Sequence, residues 1–436
     1  MRLQDDRLPS HPGDGSVGRP ASRFRYRSNG FWLGPCGSQR ETLDGEKVTQ
    51  RRINDKLAIT LGVEEEFFLI DPETGDLLRE PDEGIYEACQ KRTERHKFVR
   101  EFLRSQIESN TCVCTSVEEL RSAICETRRI LVQTAEEHCA SVLATSTHPF
   151  ASWETQVVTP GQRYRDFVIA FQESLRRFLV GGMHIHAGFG NRNSRVRIMT
   201  ALRRYLPLLH ALSGSSPFNE GRLTGFKSYR LNLVGNLPRT GLPNALASWD
   251  EYDDLVNDYL RMRFIRDGSE LWWDIRPSRS FPTVELRICD ICTRVEDAMC
   301  IVALFASLVR YLLRRDEEGA LPQDPPIEII AENRWLAQRY GVMAFLGDPE
   351  EGGRMDIDDY TALLIEELAD DAQALGCHAE LRHAKEIVRE GTGADRQVDH
   401  FRLRRLEGDT EAEALRSVVK LAADETKEGI GLAEFE

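Results

Sequence analysis

The sequence predicts an α+β fold: a sheet with helices packed on it, then a helical C-terminal part. Three observations carry that expectation. Apolar residues make up 41% of the 436, enough to fill one or more cores. Strand-like and helix-like segments alternate from Leu57 onward, and past Pro326 the pattern is almost wholly helical, with a Gly-rich break at Gly352-Gly353. Residues 57–436 are expected to form one domain. Residues 1–56, rich in Gly, Pro, Ser and Arg and without sustained periodicity, read as a disordered extension.

The elements follow in order. Leu57 to Asp71 (LAITLGVEEEFFLID) is a strand-like run closed by the turn signal Asp71-Pro72-Glu73-Thr74-Gly75. Phe102 to Cys114 reads as a strand, followed by Ser116 as an N-cap, with Glu119 completing a capping box. The helix behind it carries Leu120, Ile124, Leu131 and Ala135 near helical spacing. Val142 to Thr147 is a short strand, Tyr164 to Leu179 a helix, Met183 to Phe189 extended, and Ser194 to Leu212 one long helix. Ser248 with Glu251 caps another helix, and Leu271 to Cys289 holds two extended pieces around Pro277 and Pro282. Thr293 with Glu296 caps the apolar run Ala298 to Leu313, which is short for a membrane span, carries Arg310 and reads as a buried helix.

Composition excludes several partners. Lys plus Arg number 57 against 71 Asp plus Glu, a net of −14, so there is no basic footprint for nucleic acid and no attraction to anionic membranes. No apolar signal segment opens the chain. Ten cysteines, most of them isolated in apolar stretches, suit a reducing cytoplasm rather than a disulfide scaffold.

The informative pattern is polar side chains two apart on strands, which share a face. Glu64 and Glu66 share one with Gly62 and Phe68; Gln106, Glu108 and Asn110 share another; so do His184 and His186, and Thr283, Glu285 and Arg287. Singly, each fits a half-exposed strand. Pooled, they are carboxylates, two imidazoles and a guanidinium, a set suited to a hard divalent cation and a phosphate. Carboxylates so crowded would repel without a cation, and Mg²⁺ bridging nucleotide phosphates supplies that charge. Zinc on Cys112-x-Cys114 and Cys289-x-x-Cys292 is the competing metal, although small core cysteines explain those pairs better. Arg230, Arg276 and Arg287 could clamp carboxylates or phosphates. Glu332-Asn333-Arg334-Trp335 lies on a predicted helix, where a surface ion pair is the plain explanation.

Taken together, GVEEEFFLIDPETGDL, STHPF, QRYRDF, GGMHIHAG, SSPFNEG, the Tyr229-Arg230 pair, WDIRPS, TVELRICD and ENRW-AQRYG stand in the order typical of bacterial carboxylate-amine ligases. The chain resembles the glutamate–cysteine ligase type 2-like family. The resemblance implies a glutamine synthetase-like fold with an antiparallel-rich curved sheet, ATP and Mg²⁺ (or Mn²⁺) as cofactors, glutamate and an amine such as cysteine as substrates, and a homodimer. It implies that Glu64, His184 and Glu285 hold the metal nearer the β- and γ-phosphates. Glu66 and Glu108 would hold the metal nearer the amino-acid substrate, His186 would touch an ATP phosphate, and Arg287 would stabilise the transferring phosphoryl group. Tyr229, Arg230 and Arg276 would contact substrate carboxylates or phosphate. The implied reaction phosphorylates a γ-carboxylate, and an amine then displaces phosphate. A kinase of an amino or guanidino group, or a non-catalytic nucleotide binder, would use the same ligands. Pro282, where the family commonly has glycine, is a departure that removes no ligand.

Overall fold

The computed structural model describes residues 57–348 and 352–432; the extension expected over 1–56 lies outside the described residues. Seven strands form one antiparallel sheet: β1 (Thr60–Ile70), β2 (Lys97–Arg100), β3 (Gln106–Asn110), β4 (Ser141–Leu143), β5 (Met183–Gly188), β6 (Ile275–Pro277) and β7 (Thr283–Leu286). The order is β6-β7-β5-β1-β3-β2, with β4 also on β1. β1 is the spine. β5 pairs with its first half, β3 with its middle, and β4 with Phe68–Ile70.

The helices are α1 (Gly84–Lys91), α2 (Val117–Glu137), α3 (Gln162–Arg176), α4 (Arg192–Leu202), α5 (Leu206–Ser213), α6 (Arg230–Val234) and α7 (Trp249–Arg261). After them come α8 (Val295–Glu317), α9 (Ile327–Tyr340), α10 (Ile357–Glu367), α11 (Ala369–Leu375), α12 (His378–Glu390), α13 (Gly393–Leu406) and α14 (Glu411–Lys427).

Alternation along β1 decides the layers. Leu61, Val63, Phe67 and Leu69 point into a core that also takes Leu120, Ile124 and Leu131 of α2 and the apolar run of α8. α8 is buried from Asp297 to Val309, so it reads as apolar on every side because helices and sheet surround it. Among the described residues no helix is long and apolar enough to cross a membrane. On the opposite face, Phe68 joins Leu143 of β4, Leu175 of α3 and Val419 of α14 in a second cluster, with Phe171 and Trp272 packed on it. That cluster closes one end of the polar face.

Behind the sheet lies a charge. Glu65, between the two outward glutamates, points inward at 1% exposure. Arg128 of α2 meets it with Nε to Oε2 at 3.0 Å and Nη2 to Oε1 at 2.5 Å, and donates onward to the carbonyls of Cys292 and Thr293, both at 2.8 Å. Strand, helix and the approach to α8 are thus tied by one guanidinium bonded four times.

Several sequence expectations need correction. The strand expected over Phe102–Cys114 is regular only at Gln106–Asn110; its flanks attach through single bridges, Leu103 to Val158 and Cys114 to Leu61. The strand expected over Val142–Thr147 shortens to β4. Ser116 and Ser248 do accept from the amides of Glu119 and Glu251, at 3.1 and 3.2 Å. The two carboxylates, however, reach past the cap to the amides of Thr115 and Ala247, at 2.7 and 2.8 Å, so neither box closes. Thr293 does not cap α8, whose N-cap is Arg294. Its hydroxyl accepts from Arg396 at 3.2 Å, while Glu296 pairs with Arg121 at 2.7 Å, so charged partners take both groups. The long helix expected over Ser194–Leu212 is α4 and α5 with a 3₁₀ turn, Arg203–Tyr205, between them, Pro207 opening α5. The Gly352-Gly353 break is no simple interruption but the end of a hairpin, β8 (Phe345–Asp348) with β9 (Gly353–Asp356).

Candidate active site

The register of the sheet assembles the polar face. Glu64 pairs with His184, Glu66 with Glu108, His186 with Glu285, and Glu285 with Arg276. Residues up to 120 positions apart therefore become cross-strand neighbours, the closest approach a sheet offers. Two groups of candidate ligands result. In the first, Glu64, His184 and Glu285 each offer one atom, all within 4.8 Å of one another; in the second, Glu66, Glu101 and Glu108 do the same.

The first group is held by basic neighbours. His184 Nδ1 lies 3.1 Å from Glu64 Oε2, and His186 Nε2 lies 3.2 Å from Glu64 Oε1. Arg276 Nε donates to Glu285 Oε2 at 2.8 Å, and Arg287 Nη1 donates to Glu285 Oε1. Burial alone would raise the carboxyls of Glu64 and Glu285. Two imidazoles outweigh it at Glu64, and Arg276 with Arg287 outweigh it at Glu285, so both are held well below the usual carboxylate range. Burial, then the Arg287 charge, lowers His184 and leaves its ring neutral, the form that can ligate. Burial also works against a charge on His186, but the Glu64 carboxylate raises it overall.

The second group has far less such help, the Arg163 charge at Glu101 being outweighed. Burial and the Glu66 carboxylate push Glu101 up to about 7. Burial, then the charges of Glu64, Glu101 and Glu66, push Glu108 well above the usual range. Asn110 donates to Glu108 at 2.6 Å, which fixes one oxygen but cancels no charge. Three converging carboxylates of this kind form a hard oxygen donor set, and a divalent cation fits them better than three protons do.

The arginines divide. Arg287 and Arg276 stand on Glu285 as above. Arg276 spends Nη1 on the carbonyls of Ser269 and Leu271, at 2.7 and 2.9 Å. Arg230, 6% exposed, packs over Gly182, where an added Cβ would strike its guanidinium. It donates to the carbonyls of Arg287 and Ile288 at 3.3 Å. Tyr229 is half-buried against Phe226. The structure therefore brings Arg230 to the chain that carries Arg287 rather than to the carboxylates. Arg334 is no surface pair. It grips Asp274, 4% exposed, at 2.7 and 3.1 Å, and the Asp274 carbonyl accepts from the amides of Arg287 and Ile288 at 2.8 and 3.0 Å.

Glu101 is the candidate ligand that strand patterning misses, because it follows β2 rather than lying on a strand. The cysteines stay out: neither candidate group among the described residues contains a thiol, so the zinc alternative gains nothing.

The profile of the glutamate–cysteine ligase family 2 matches residues 60–421. A Rhodospirillum rubrum protein provisionally named glutamate–cysteine ligase 2 is 40% identical over 365 residues, covering 83% of this chain and 94% of that one. One from a Jannaschia species, with the same provisional name, is 40% identical over 361 residues, covering 83% and 95%. Among solved structures, glutamate–cysteine ligase from Francisella tularensis in complex with AMP superposes with a TM-score of 0.60 at 13% identity, over 85% of this chain and 89% of that one. A bifunctional glutathione synthetase from Pasteurella multocida gives 0.62 at 13% identity, over 88% and 55%. Both share the fold.

Proposed function

The chain belongs to glutamate–cysteine ligase family 2, and from that premise we propose that this ATP-dependent ligase joins the γ-carboxyl of glutamate to an amine, cysteine being the first candidate, through an acyl phosphate. The observation that supports the reading is the pair of ligand groups meeting on one face, Glu64/His184/Glu285 beside Glu66/Glu101/Glu108.

Glu64, His184 and Glu285 would hold one Mg²⁺ and Glu66, Glu101 and Glu108 another. Bound there, the cations supply Lewis-acid screening of phosphoryl charge. The rest falls to the chain. Arg287, cationic and anchored on Glu285, faces the negative charge that grows on the transferring phosphoryl oxygens. His186, held on Glu64, would add a second donor to the nucleotide phosphates. Tyr229 and Arg230 stand by the loop after β7 as candidate contacts for the amino-acid carboxylates, with Arg276 nearer the phosphate. The apolar wall of Phe68, Phe171 and Trp272 helps keep water from the activated acyl group.

The test is incubation with Mg-ATP, glutamate and a panel of amines, with ADP, phosphate and new amide followed by mass spectrometry. Amide formed in step with ADP supports the proposal. ADP with a stable phosphorylated acceptor would replace it with a kinase, and absence of ADP with a nucleotide binder. Glu285→Ala should abolish turnover while leaving the far-UV circular dichroism unchanged.

A further inference from the structure

Cys112-x-Cys114 is unused by the site, and its placement is unusual. Past Asn110 the chain stays on β1, but its spacing changes. Thr111 N donates to Val63 O at 3.0 Å, whereas Cys114 and Leu61 exchange both backbone bonds at 2.8 Å. Two steps on β1 therefore face three on the other chain, which is a β-bulge. The bulge turns both cysteines into the same core, at 2% and 0% exposure, with their Sγ atoms 3.9 Å apart.

A histidine fixes the segment that carries them. Buried His96 accepts the Cys112 amide proton on Nδ1 at 3.1 Å, which leaves its own proton on Nε2, 3.3 Å from Glu126 Oε2. His96 thus spends its acceptor nitrogen on the Cys112 backbone, which pins the bulge and holds the two sulfurs side by side. The hydrogen bond from Cys114 outweighs burial and, with His96, holds the Cys112 thiol below its ordinary value, while Cys114 is pushed up. Cys114 also directs its S–H at the Cys112 carbonyl at 3.4 Å, which leaves Cys112 the freer sulfur to attack.

We propose that Cys112 and Cys114 form a reversible dithiol–disulfide site oxidised by a small hydroperoxide. Cys112 sulfur attacks the distal peroxide oxygen, the O–O bond breaks, and the alcohol leaves with the Cys112 proton, giving a sulfenic acid. Cys114 sulfur then displaces hydroxide, the S–S bond forms, and the Cys114 proton completes a water. Two thiols and one hydroperoxide give one disulfide, one alcohol and one water; sulfur loses the two electrons that cleave the O–O bond. Closing 3.9 Å to a bond of about 2.05 Å draws the bulge tighter. The strain falls on the Leu61 pairing, three residues before Glu64, so oxidation reaches the strand that carries the carboxylates. This stands apart from the ligase reading, since neither the thiols nor the test requires that activity.

Both cysteines lie in one tryptic peptide, residues 105–121. Treating the full chain with hydrogen peroxide should make that peptide lighter by two hydrogens and faster in amide exchange over 61–63 and 111–114, both reversed by dithiothreitol. Cys112→Ser and Cys114→Ser should each abolish the change while folding normally by circular dichroism. A peptide that keeps two alkylatable thiols, or that gains oxygens without bridging, would overturn the proposal. So would a bridge running instead to Cys125 or Cys139.

Discussion

Arg128→Met removes a guanidinium that is fully buried and bonded four times: twice to Glu65 and once each to the carbonyls of Cys292 and Thr293. The native pair need add little net stability, because desolvating two ions offsets their attraction, but removing one partner strands the other. The expected loss is about 3–5 kcal/mol, a large share of a typical 5–15 kcal/mol. Glu65→Leu alone should cost as much, since it strands the cation. The double variant replaces the pair by apolar groups of similar length and should cost no more than about 2 kcal/mol, which leaves a coupling of several kcal/mol. Urea unfolding followed by tryptophan fluorescence on all four proteins closes the cycle. A single variant within 1 kcal/mol of the native chain, or a double variant as unstable as the two singles summed, would refute the reasoning.

Three further outcomes are expected. Glu101→Gln should weaken Mn²⁺ binding by more than the about 10–100-fold typical of groups beyond the ligand shell, read by titration of the paramagnetic ion, if Glu101 is a ligand. Arg334→Met should lower turnover by about 10–100-fold with metal affinity unchanged, because it frees Asp274 and with it the backbone under Arg287, and misplacement of about 1 Å costs that much. His148 should set an acid limit. Burial holds it down at about 4, its ring meeting the Gly75 carbonyl at 2.9 Å and the Ala151 amide at 3.0 Å. A histidine lowered from 6.5 to about 4 contributes stability that is whole above 6.5 and is lost as pH falls toward 4. The loss amounts to about 3 kcal/mol, at about 1.4 kcal/mol for each tenfold change in proton affinity. His148→Gln should flatten urea midpoints across that window.

Much of the site was legible because strands obey a two-residue period. Glu64, Glu66, Glu108, His184, His186 and Glu285 were read onto faces, and the antiparallel register brings those faces together. What escaped lacked a local signal. Glu101 leaves the end of β2, where no alternation announces it. Glu65 looks like one more member of an acidic triplet, and its partner is 63 residues away. Thr293 has the spacing of a helix cap, but Arg396, 103 residues on, claims its hydroxyl. Local rules failed where long-range charge pairs offered a better bond.

The glutamate triplet of β1 has a consequence for how this strand can change. Its three identical side chains have opposite fates, two toward the ligand groups and one toward Arg128. Inserting or deleting one residue between Thr60 and Ile70 would exchange those fates: a lone carboxylate would face the pocket, two would press on one guanidinium, and Val63 and Phe67 would turn outward. Replacement of a single side chain here is a local injury, whereas a change of length by one is ruinous to core and pocket together. Natural variants of β1 should therefore differ in letters and never in frame.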